Sequence, residues 1–346
     1  MSVDKYNSRR AAAIENRYLY VTVLQEGGHI ATILDKATGT NPLWTPPWRS
    51  TAPSKFGPEV YQEYGCGPES RLLAGIMGHH VCLDLFGAPS AEEFAAGLGV
   101  HGEAAVALYE IDEGQTTLTM RAELPLTQLV FERRLALEDR ILRIRETVEN
   151  FTSFDRPIAW TQHVTLGPPF LQKGVTQFRA SATRSRTLEY DFGPGDRLAT
   201  AADFEWPHAP LRGGGWDDLR VITSAESSCA FTSHLMDPGR EQAFFAAWSP
   251  ASRLVFGYVW KQSDFPWMGI WEENHSRASV PWNGQTLTRG LEFGVSPVPE
   301  SRRAMLQRGA LFGVPTYRWL PAKSRIEVEY CAVTARADAI PEVLEA

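Results

Sequence analysis

The chain is divided into many short, strand-like segments, and almost no helical pattern lies between them. Residues 139–150 show the strand pattern best, because Leu142, Ile144 and Val148 alternate with charged or hydroxyl-bearing residues, as in a strand with one buried face. Without helices between strands, the parallel sheets of doubly wound and TIM-barrel folds are improbable. No repeat of fixed period is present, which disfavours a propeller. We therefore predict an all-β protein, a large antiparallel β-sandwich with few short helices.

Local signals predict two hairpins and two helices. Residues 17–25 and 29–34, joined through Gly27 and Gly28, are predicted to form an opening hairpin. Residues 129–137 are the expected hairpin partner of residues 139–150. Ser90 and Glu93 have capping-box spacing, which predicts a short helix after Ser90. A second helix is predicted over residues 299–308, from Pro299 to the residue before Gly309. The remaining strand candidates are residues 104–111, 115–122, 158–166, 176–181, 219–224, 229–235, 242–249, 253–260, 267–273, 286–296, 309–319 and 325–335.

Residues 41–87 lack a regular pattern and are rich in tryptophan, proline and glycine. A long irregular segment inside a compact domain is uncommon unless it is functional or disordered, and the aromatic content argues against disorder. We expect this segment to be ordered, to wrap over the mouth of a site and to contribute aromatic or polar side chains to its rim.

Composition and charge favour a single domain that binds a small molecule. Residues 1–346 contain no evident linker, and large β domains reach this size. The net charge of −7 comes without a basic run, so nucleic acid is not an expected partner. No apolar run has the length of a membrane span, and no signal-peptide pattern follows the N-terminal residues, so we predict a cytoplasmic protein without a membrane partner. The oligomeric state is left open.

Four cysteines occur without CxxC spacing, which predicts reduced thiols and neither a disulfide framework nor a zinc site. His79, His80, Cys82 and Asp84 suggest a metal at first sight, but neighbouring strand residues point to opposite faces. Gly213–Gly215 lacks the GK[ST] of a phosphate loop, and no GxSxG elbow is present. We expect neither a metal nor a cofactor.

One histidine stands out by its position. His163 lies in the apolar run 158–166, which breaks at Gly167, Pro168 and Pro169. Histidine has an unperturbed pKa near neutrality, and this suits proton transfer. A hydrogen-bonded core histidine is the alternative interpretation of this residue taken alone.

Three short stretches together resemble a known family. Val100-His101-Gly102, Gln162-His163-Val164 and the segment from Gly290 through Glu292 to Pro297 are similar to the signature positions of the galactose mutarotase-like family, the aldose 1-epimerases and their relatives. The resemblance extends over nearly the whole chain and implies that family's β-sandwich. It also implies interconversion of sugar anomers, with Glu292 as the base, His163 as the acid and His101 as a second donor near the ring oxygen.

Several residues are candidate sugar contacts, and one of them follows from the resemblance. Gly215-Trp216-Asp217 is similar to the segment whose aspartate binds sugar hydroxyls, although Asp218 follows here where the family has histidine. Trp267, Trp271 and Trp282 precede Glu292 and are expected near the sugar. Arg71, with Arg49, is a candidate contact for an oxidised or phosphorylated sugar. Two alternatives remain open: a sugar-binding protein without catalysis, and an isomerase or lyase acting on a modified sugar.

Overall fold

Strands form most of the regular structure in residues 4–345, the part of the chain that the computed structural model describes. The strands are β1 (Asp4–Tyr6), β2 (Arg9–Glu15), β3 (Leu19–Leu24), β4 (Ile30–Asp35), β5 (His79–Asp84), β6 (Glu110–Glu113), β7 (Thr117–Leu124), β8 (Leu129–Glu138), β9 (Ile141–Asn150), β10 (Arg156–Leu166), β11 (Gln177–Ala180), β12 (Ala182–Thr187), β13 (Asp203–Glu205), β14 (His208–Pro210), β15 (Trp216–Asp218), β16 (Ser228–Met236), β17 (Gln242–Ser249), β18 (Leu254–Lys261), β19 (Trp267–Asn274), β20 (Leu287–Gly294), β21 (Ala310–Leu311), β22 (Val314–Pro315), β23 (Arg318–Leu320) and β24 (Arg325–Arg336). The helices are α1 (Tyr61–Tyr64), α2 (Ser70–Gly75), α3 (Ala91–Ala95) and α4 (Arg302–Arg308), with single 3-10 turns at Pro53–Lys55 and Pro58–Val60.

Two large antiparallel sheets form the body of the protein, as the alternating pattern predicts, and β14-β15 and β21-β22 form two small two-stranded sheets beside them. The larger sheet has the strand order β1-β2-β3-β4-β5-β10-β20-β19-β16-β12-β13, and β23 also pairs with β10. The smaller sheet has the order β11-β17-β18-β24-β9-β8-β7-β6. One apolar cluster joins the two, with Trp160 and Phe293 from the larger sheet and Phe131 and Tyr258 from the smaller. Because the cluster contains side chains from both sheets, it is the core of a sandwich. Burying such side chains contributes roughly 1.5–3 kcal/mol each to the stability.

The predicted local elements are found with adjusted bounds. Strands β8 and β9 form the expected hairpin, with Leu135 opposite Ile144. The capping box of Ser90 and Glu93 is present at the start of α3. Helix α4 begins at Arg302, because the Ser301 side chain accepts a hydrogen bond from the backbone N–H of Ala304 and caps the helix there. The prediction of a start at Pro299 is therefore wrong.

Three of the predicted strands are wrong in whole or in part. Residues 219–224 form a turn and an irregular loop, and the first six residues of 104–111 precede β6. Leu219 and Ile222 are buried, so the apolar character of the first of these segments reflects packing of a loop against the core. The candidate at 309–319 is interrupted by turns and divides into β21, β22 and the start of β23.

The segment 41–87 is less irregular than the sequence predicts. It contains α1, α2 and the whole of β5, which pairs with β10 near the middle of the larger sheet. All six residues of β5 are buried, and two histidines and an aspartate among them hide the apolar alternation of a strand. The prediction that residues 41–87 lack regular structure is therefore wrong for this strand and for α1 and α2.

A polar network lies between the two sheets, inside the core. The Glu146 carboxylate accepts hydrogen bonds from Arg133 Nε at 2.7 Å, Tyr330 Oη at 2.7 Å and Trp160 Nε1 at 3.0 Å. Gln162 Nε2 donates to the same carboxylate at 2.5 Å. A buried ion pair is tolerated when further hydrogen bonds satisfy it, as they do here. The network fixes one face of β10, since Trp160 and Gln162 both belong to that strand.

Within residues 4–345, none of the helices combines the length and the apolar character that crossing a membrane requires.

Candidate active site

A row of polar side chains crosses the middle of the larger sheet. His80 on β5 lies directly opposite His163 on β10, and His163 lies directly opposite Glu292 on β20. Residues that face each other across antiparallel strands share one face of the sheet, so the three side chains stand side by side. Their exposed fractions are 0%, 4% and 2%, and the row is therefore buried from bulk solvent.

His163 is held at both ring nitrogens. Its Nε2 lies 3.0 Å from Glu292 Oε1, and its Nδ1 lies 2.9 Å from Thr165 Oγ1. Thr165 is two residues along β10, so its hydroxyl lies on the same face as the imidazole. An imidazole with a carboxylate at one nitrogen and a hydroxyl at the other has a fixed orientation and a ready route for a proton.

His101 reaches the row from a loop. Its Nδ1 lies 2.9 Å from His80 Nε2, and its ring lies 4.9 Å from that of His163 between centroids. The loop depends on Gly102, which has φ +78°, and a Cβ at this position would lie 2.1 Å from the carbonyl oxygen of Leu83. Only glycine permits that approach, which gives the His-Gly dipeptide a physical reason. Burial, together with repulsion from His163, holds the pKa of His80 and of His101 well below the usual histidine value.

A cavity of about 230 Å³ opens above the row, and His101, His163 and Glu292 all line it. Much of the remaining wall is apolar or aromatic: Leu72, Leu73, Ile76, Phe86, Val100, Phe192, Phe231, Trp271 and Trp282. Glu69 and Arg277 add two charged groups. The three residues that the family resemblance brings together thus meet at one concave surface, the usual form of a small-molecule site.

The segment 41–87 supplies part of this wall. It contributes a charged, an aliphatic and an aromatic side chain, for example Glu69, Leu72 and Phe86. Its tryptophans pack behind the cavity, with the ring of Trp44 stacked on that of Trp282 at 6.2 Å between centroids. The segment therefore supports the aromatic wall from outside as well as lining it.

Trp271 is one of two predicted sugar-contact residues that lie at the cavity. The residue is 6% exposed, and its Nε1 is buried without a hydrogen-bond partner in residues 4–345. A buried N–H without an acceptor is costly, so this nitrogen is a donor available to a ligand. Trp282, the third tryptophan of that group, also lines the cavity.

Trp267 lies away from the cavity, contrary to expectation. It shares a face of β19 with Trp271 but stands four residues earlier, which is about 13 Å along a strand. Its ring is fully buried, and its Nε1 donates a hydrogen bond to the carbonyl oxygen of Pro315 at 2.8 Å. A side chain enclosed in this way has no surface to offer a sugar.

Asp217 and Arg71 are also absent from the cavity wall. Arg197 holds the Asp217 carboxylate through Nε at 3.0 Å and Nη2 at 2.5 Å, and it bridges to Glu272 Oε1 at 2.9 Å. Asp217 is therefore part of an ion-pair group with Arg197 and Glu272 and does not line the cavity. Arg71 donates from Nε to the carbonyl oxygen of Pro53 at 3.2 Å and borders a different surface depression.

The residues before Glu292 in β20 leave space for its carboxylate. Arg289, three residues before Glu292 in the same strand, is paired with Glu272 at 3.0 Å. At Gly290 a Cβ would lie 2.5 Å from Glu292 Oε1 and 3.2 Å from the Trp271 ring. The absence of a side chain at residue 290 thus makes space for the carboxylate.

The residues once considered for a metal do form a cluster, although with different members. Donor atoms of His80, Cys82 and His101 lie within 4.8 Å of one another, while His79 points into the core and binds Gln162. The 2.9 Å contact between the two imidazoles of the cluster is a hydrogen bond. An ion on His80 Nε2 would put the ring proton on Nδ1, which has no partner in the described chain. The cluster is therefore better suited to hydrogen bonding than to holding a metal.

Sequence reasoning missed several contributors to the site, among them His80, Thr165, Phe231 and Arg277. Thr165 had a usable signal, since it is two residues from His163 in one strand and must share its face. The others are brought in by strand register or by loops, which a local pattern does not encode.

Comparison with known proteins identifies the fold. No protein-family model and no curated protein sequence matches the chain. Solved structures do match it. A galactose mutarotase related enzyme from Lactobacillus acidophilus aligns with a TM-score of 0.60 and 13% identity, over 96% of this chain and 99% of that one. A galactose mutarotase-like protein from Clostridium acetobutylicum aligns with a TM-score of 0.61 and 12% identity, over 96% and 98%.

A third structure, from Klebsiella pneumoniae subsp. pneumoniae and described as a proposed aldose 1-epimerase, aligns with a TM-score of 0.65 and 13% identity, over 97% of this chain and 82% of that one. At such identities the likeness concerns the fold. The chain therefore has the galactose mutarotase-like fold that the three signature stretches imply.

Proposed function

We propose that this protein interconverts the anomers of an aldose by general acid–base catalysis, with Glu292 as the base and His163 as the acid. The observation that carries the proposal is the 3.0 Å pair between His163 Nε2 and Glu292 Oε1 at the wall of an aromatic cavity. A carboxylate and an imidazole side by side can take a proton from one oxygen of a sugar and give one to its neighbour. The anomeric hydroxyl and the ring oxygen, both on C1, are such a pair.

The reaction balances with these two groups. Glu292 removes the proton from the anomeric hydroxyl while protonated His163 donates a proton to the ring oxygen. The bond between C1 and the ring oxygen breaks, and C1 becomes the carbonyl carbon of the open chain. Rotation about the bond between C1 and C2 presents the other face. Closure reverses both transfers, so Glu292 and His163 regain their starting protonation states, and acid–base groups of this kind typically contribute about a hundred- to ten-thousand-fold each.

The remaining wall supports binding of the sugar. Tryptophan rings such as those of Trp271 and Trp282 offer flat apolar faces to the C–H groups of a pyranose, and Trp271 Nε1 offers a donor to a hydroxyl. His101, whose ring lies 4.9 Å from that of His163, is placed to donate to the ring oxygen. These contacts hold the sugar while its ring opens.

A modified sugar as substrate receives less support. Recognition of a phosphate or carboxylate favours clustered arginines. Neither Arg49 nor Arg71 lines the cavity, and Arg277, which does, has its Nε 3.3 Å from Glu273 Oε2. Because Arg277 already lies beside a carboxylate, the cavity is better suited to a neutral aldose than to an anionic sugar.

The test is anomer exchange measured by NMR exchange spectroscopy and by polarimetry on a freshly dissolved sugar, over a panel of common aldoses. Wild type should accelerate exchange above buffer for at least one aldose. Glu292→Gln should abolish the acceleration and leave sugar affinity within about tenfold, because the amide keeps the size but accepts no proton. Glu110→Gln, at an exposed residue of β6, is the matched control and should behave as wild type.

The outcomes separate the candidate functions. Binding of an aldose without any exchange above buffer would favour the sugar-binding protein without catalysis. Full activity in Glu292→Gln would remove the base from the mechanism. The nearby Glu272 is an unsuitable replacement, since Arg197 and Arg289 bind it, and Glu273 accepts hydrogen bonds from Ser276.

A further inference from the structure

We infer that His80 is a positioning residue that fixes the tautomer of His101, so that His101 presents an Nε2–H donor to the ligand in the cavity. The inference rests on the proposed function for its catalytic meaning, whereas the tautomer itself can be measured without any activity. His80 is absent from the cavity wall, and it acts through His101, which does line the cavity.

The contact between the two rings leaves two possible positions for the shared proton. His80 Nε2 and His101 Nδ1 are 2.9 Å apart, and the rings stack at 5.1 Å between centroids. A neutral imidazole has one N–H donor and one acceptor nitrogen, so one of these two atoms carries the proton and the other does not. The position of this proton also determines whether His80 Nδ1 or His101 Nε2, the two nitrogens outside the contact, is protonated.

The far side of His80 decides between the two arrangements. His80 Nδ1 is buried and has no partner in the described chain. If His101 donated to His80, the proton of His80 would sit on Nδ1 as a buried donor without an acceptor. Buried N–H groups without partners are rarer and costlier than acceptors left unpaired. The proton therefore belongs on His80 Nε2, which donates to His101 Nδ1.

The same preference is visible in the adjacent histidine. The ring of His29 lies 5.1 Å from that of His80, and its Nε2 lies 2.9 Å from the carbonyl oxygen of Ala105. A carbonyl oxygen only accepts, so the proton is on His29 Nε2, and its buried Nδ1 is again an acceptor without a partner. In His29, as in the arrangement inferred for His80, the unpaired nitrogen is the acceptor and the N–H is the paired group.

The consequence reaches the cavity through His101. Since its Nδ1 accepts from His80, its proton must be on Nε2, which has no hydrogen-bond partner in residues 4–345. This N–H belongs to a residue that lines the cavity, where a ligand can accept its hydrogen bond, whereas a proton on the enclosed His80 Nδ1 would find no acceptor. Burial keeps both rings of the pair neutral, as the lowered pKa values of His80 and His101 indicate, so the arrangement persists near neutral pH. A neutral N–H donor suits a ring oxygen, because the hydrogen bond becomes stronger as the oxygen gains negative charge. His101 keeps its own proton, and His163 supplies the proton that is transferred.

The register of the sheet explains why His80 is suited to this task. His80 lies directly opposite His163 in the β5–β10 pair, and their rings stack at 4.4 Å between centroids. The strand holds the imidazole rigidly, whereas His101 is on a loop with φ +68°. A hydrogen bond from the sheet to the loop therefore sets both the position and the tautomer of the loop histidine.

Two variants of His80 separate this role from a packing role. His80→Gln retains an N–H donor near the position of Nε2, and His80→Leu removes it. We expect His80→Leu to lower kcat for anomer exchange by about tenfold or more with little change in KM, and His80→Gln to restore most of that loss. His234→Leu is the control, because His234 is a fully buried histidine of the same sheet that does not line the cavity. It should lower stability and leave kcat unchanged.

The direct readout is the imidazole ¹⁵N and ¹H spectrum of labelled protein. Wild type should show His101 protonated at Nε2 and unprotonated at Nδ1, and His80→Leu should show a mixture of tautomers. A wild-type spectrum with the proton on His101 Nδ1 would overturn the inference, as would a kcat that falls equally in His80→Gln and His80→Leu. If the tautomers are as stated but no aldose is exchanged, the positioning role stands and the proposed function fails.

Discussion

Gln162 and His163 are consecutive residues of β10, and they serve opposite sides of the larger sheet. Gln162 Nε2 donates to Glu146 at 2.5 Å inside the core, while His163 Nε2 pairs with Glu292 at 3.0 Å beside the cavity. The candidate site thus lies directly behind the most polar part of the core. Four predictions follow from this arrangement and from the groups around it.

Replacing Glu146 should destabilise the protein strongly. Glu146→Gln leaves the fully buried Arg133 guanidinium without its anionic partner, and breaking a buried pair in this way typically costs about 3–5 kcal/mol. Urea unfolding of the purified variant measures the change. Glu329→Gln is the control, because its 2.9 Å pair with Arg145 is exposed to solvent and contributes little. Equal stability of the two variants would show that the core network is not a source of stability.

Gly290→Ala should impair catalysis more than folding. The added methyl group would lie 2.5 Å from Glu292 Oε1, so the flexible carboxylate must move and lose its contact with His163. We expect the exchange rate to fall by about a hundredfold, the scale of one general acid–base group. Gly213→Ala, where an added Cβ meets no atom within 4 Å, should keep the wild-type rate. An unchanged rate in Gly290→Ala would mean that the position of this carboxylate does not limit the reaction.

Thr165→Val should slow the reaction by removing the hydroxyl that lies 2.9 Å from His163 Nδ1. The substitution keeps the shape of the side chain, and we expect a loss of about tenfold in kcat, because the imidazole is less well oriented. Thr161→Val is a matched control on the same strand, since the buried Thr161 hydroxyl has no partner in the described chain. Steady-state exchange rates compare the two, and equal rates would contradict a role for Thr165.

The buried histidines should make the protein sensitive to mild acid. Burial, with a smaller effect of Arg289, lowers the pKa of His234 to about 3, whereas an unfolded histidine titrates near 6.5. Above pH 6.5 both states are neutral, and the stability is fully present. Below it the unfolded chain binds a proton that the folded chain refuses, so stability is lost as the pH falls toward 3.

His234→Gln tests this relationship away from the cavity. Between pH 7 and pH 5 one such histidine accounts for about 2 kcal/mol of lost stability. The drop in the free energy of unfolding over this interval should be smaller in the variant by about that amount. Denaturant titrations of both proteins at the two pH values give the comparison. Identical drops would show that His234 takes up its proton in the folded state.

The parts of the fold that sequence predicts are those encoded locally. Alternation identifies the β8–β9 hairpin, since Leu135 and Ile144 lie opposite each other with buried side chains. Alternation fails for β5, where two histidines and an aspartate occupy buried positions. Those polar residues form hydrogen bonds with residues far away in sequence, and a window of a few residues does not contain these partners.

The candidate site divides in the same way. His101, His163 and Glu292 carry short motifs around them, and the structure brings them to one cavity. Asp217 carries a weaker motif, and its carboxylate is bound by Arg197, a residue from a separate loop. Trp267 was expected near the sugar because of its distance in sequence from Glu292. The position along β19 determines which tryptophan lies at the cavity, and Trp267 is too far along the strand from Trp271 to reach it.

The polar residues on the two faces of β10 also bear on how the chain folds. A slip of β10 by one residue would turn every side chain of the strand to the other face. Gln162 would then face the cavity, and the imidazole of His163 would be pushed into the core beside Arg133 and Glu146. Each face would lose its hydrogen bonds at once, so misaligned pairings are disfavoured on both sides. The same histidine that serves the proposed chemistry thereby helps the nascent sheet to select its correct alignment.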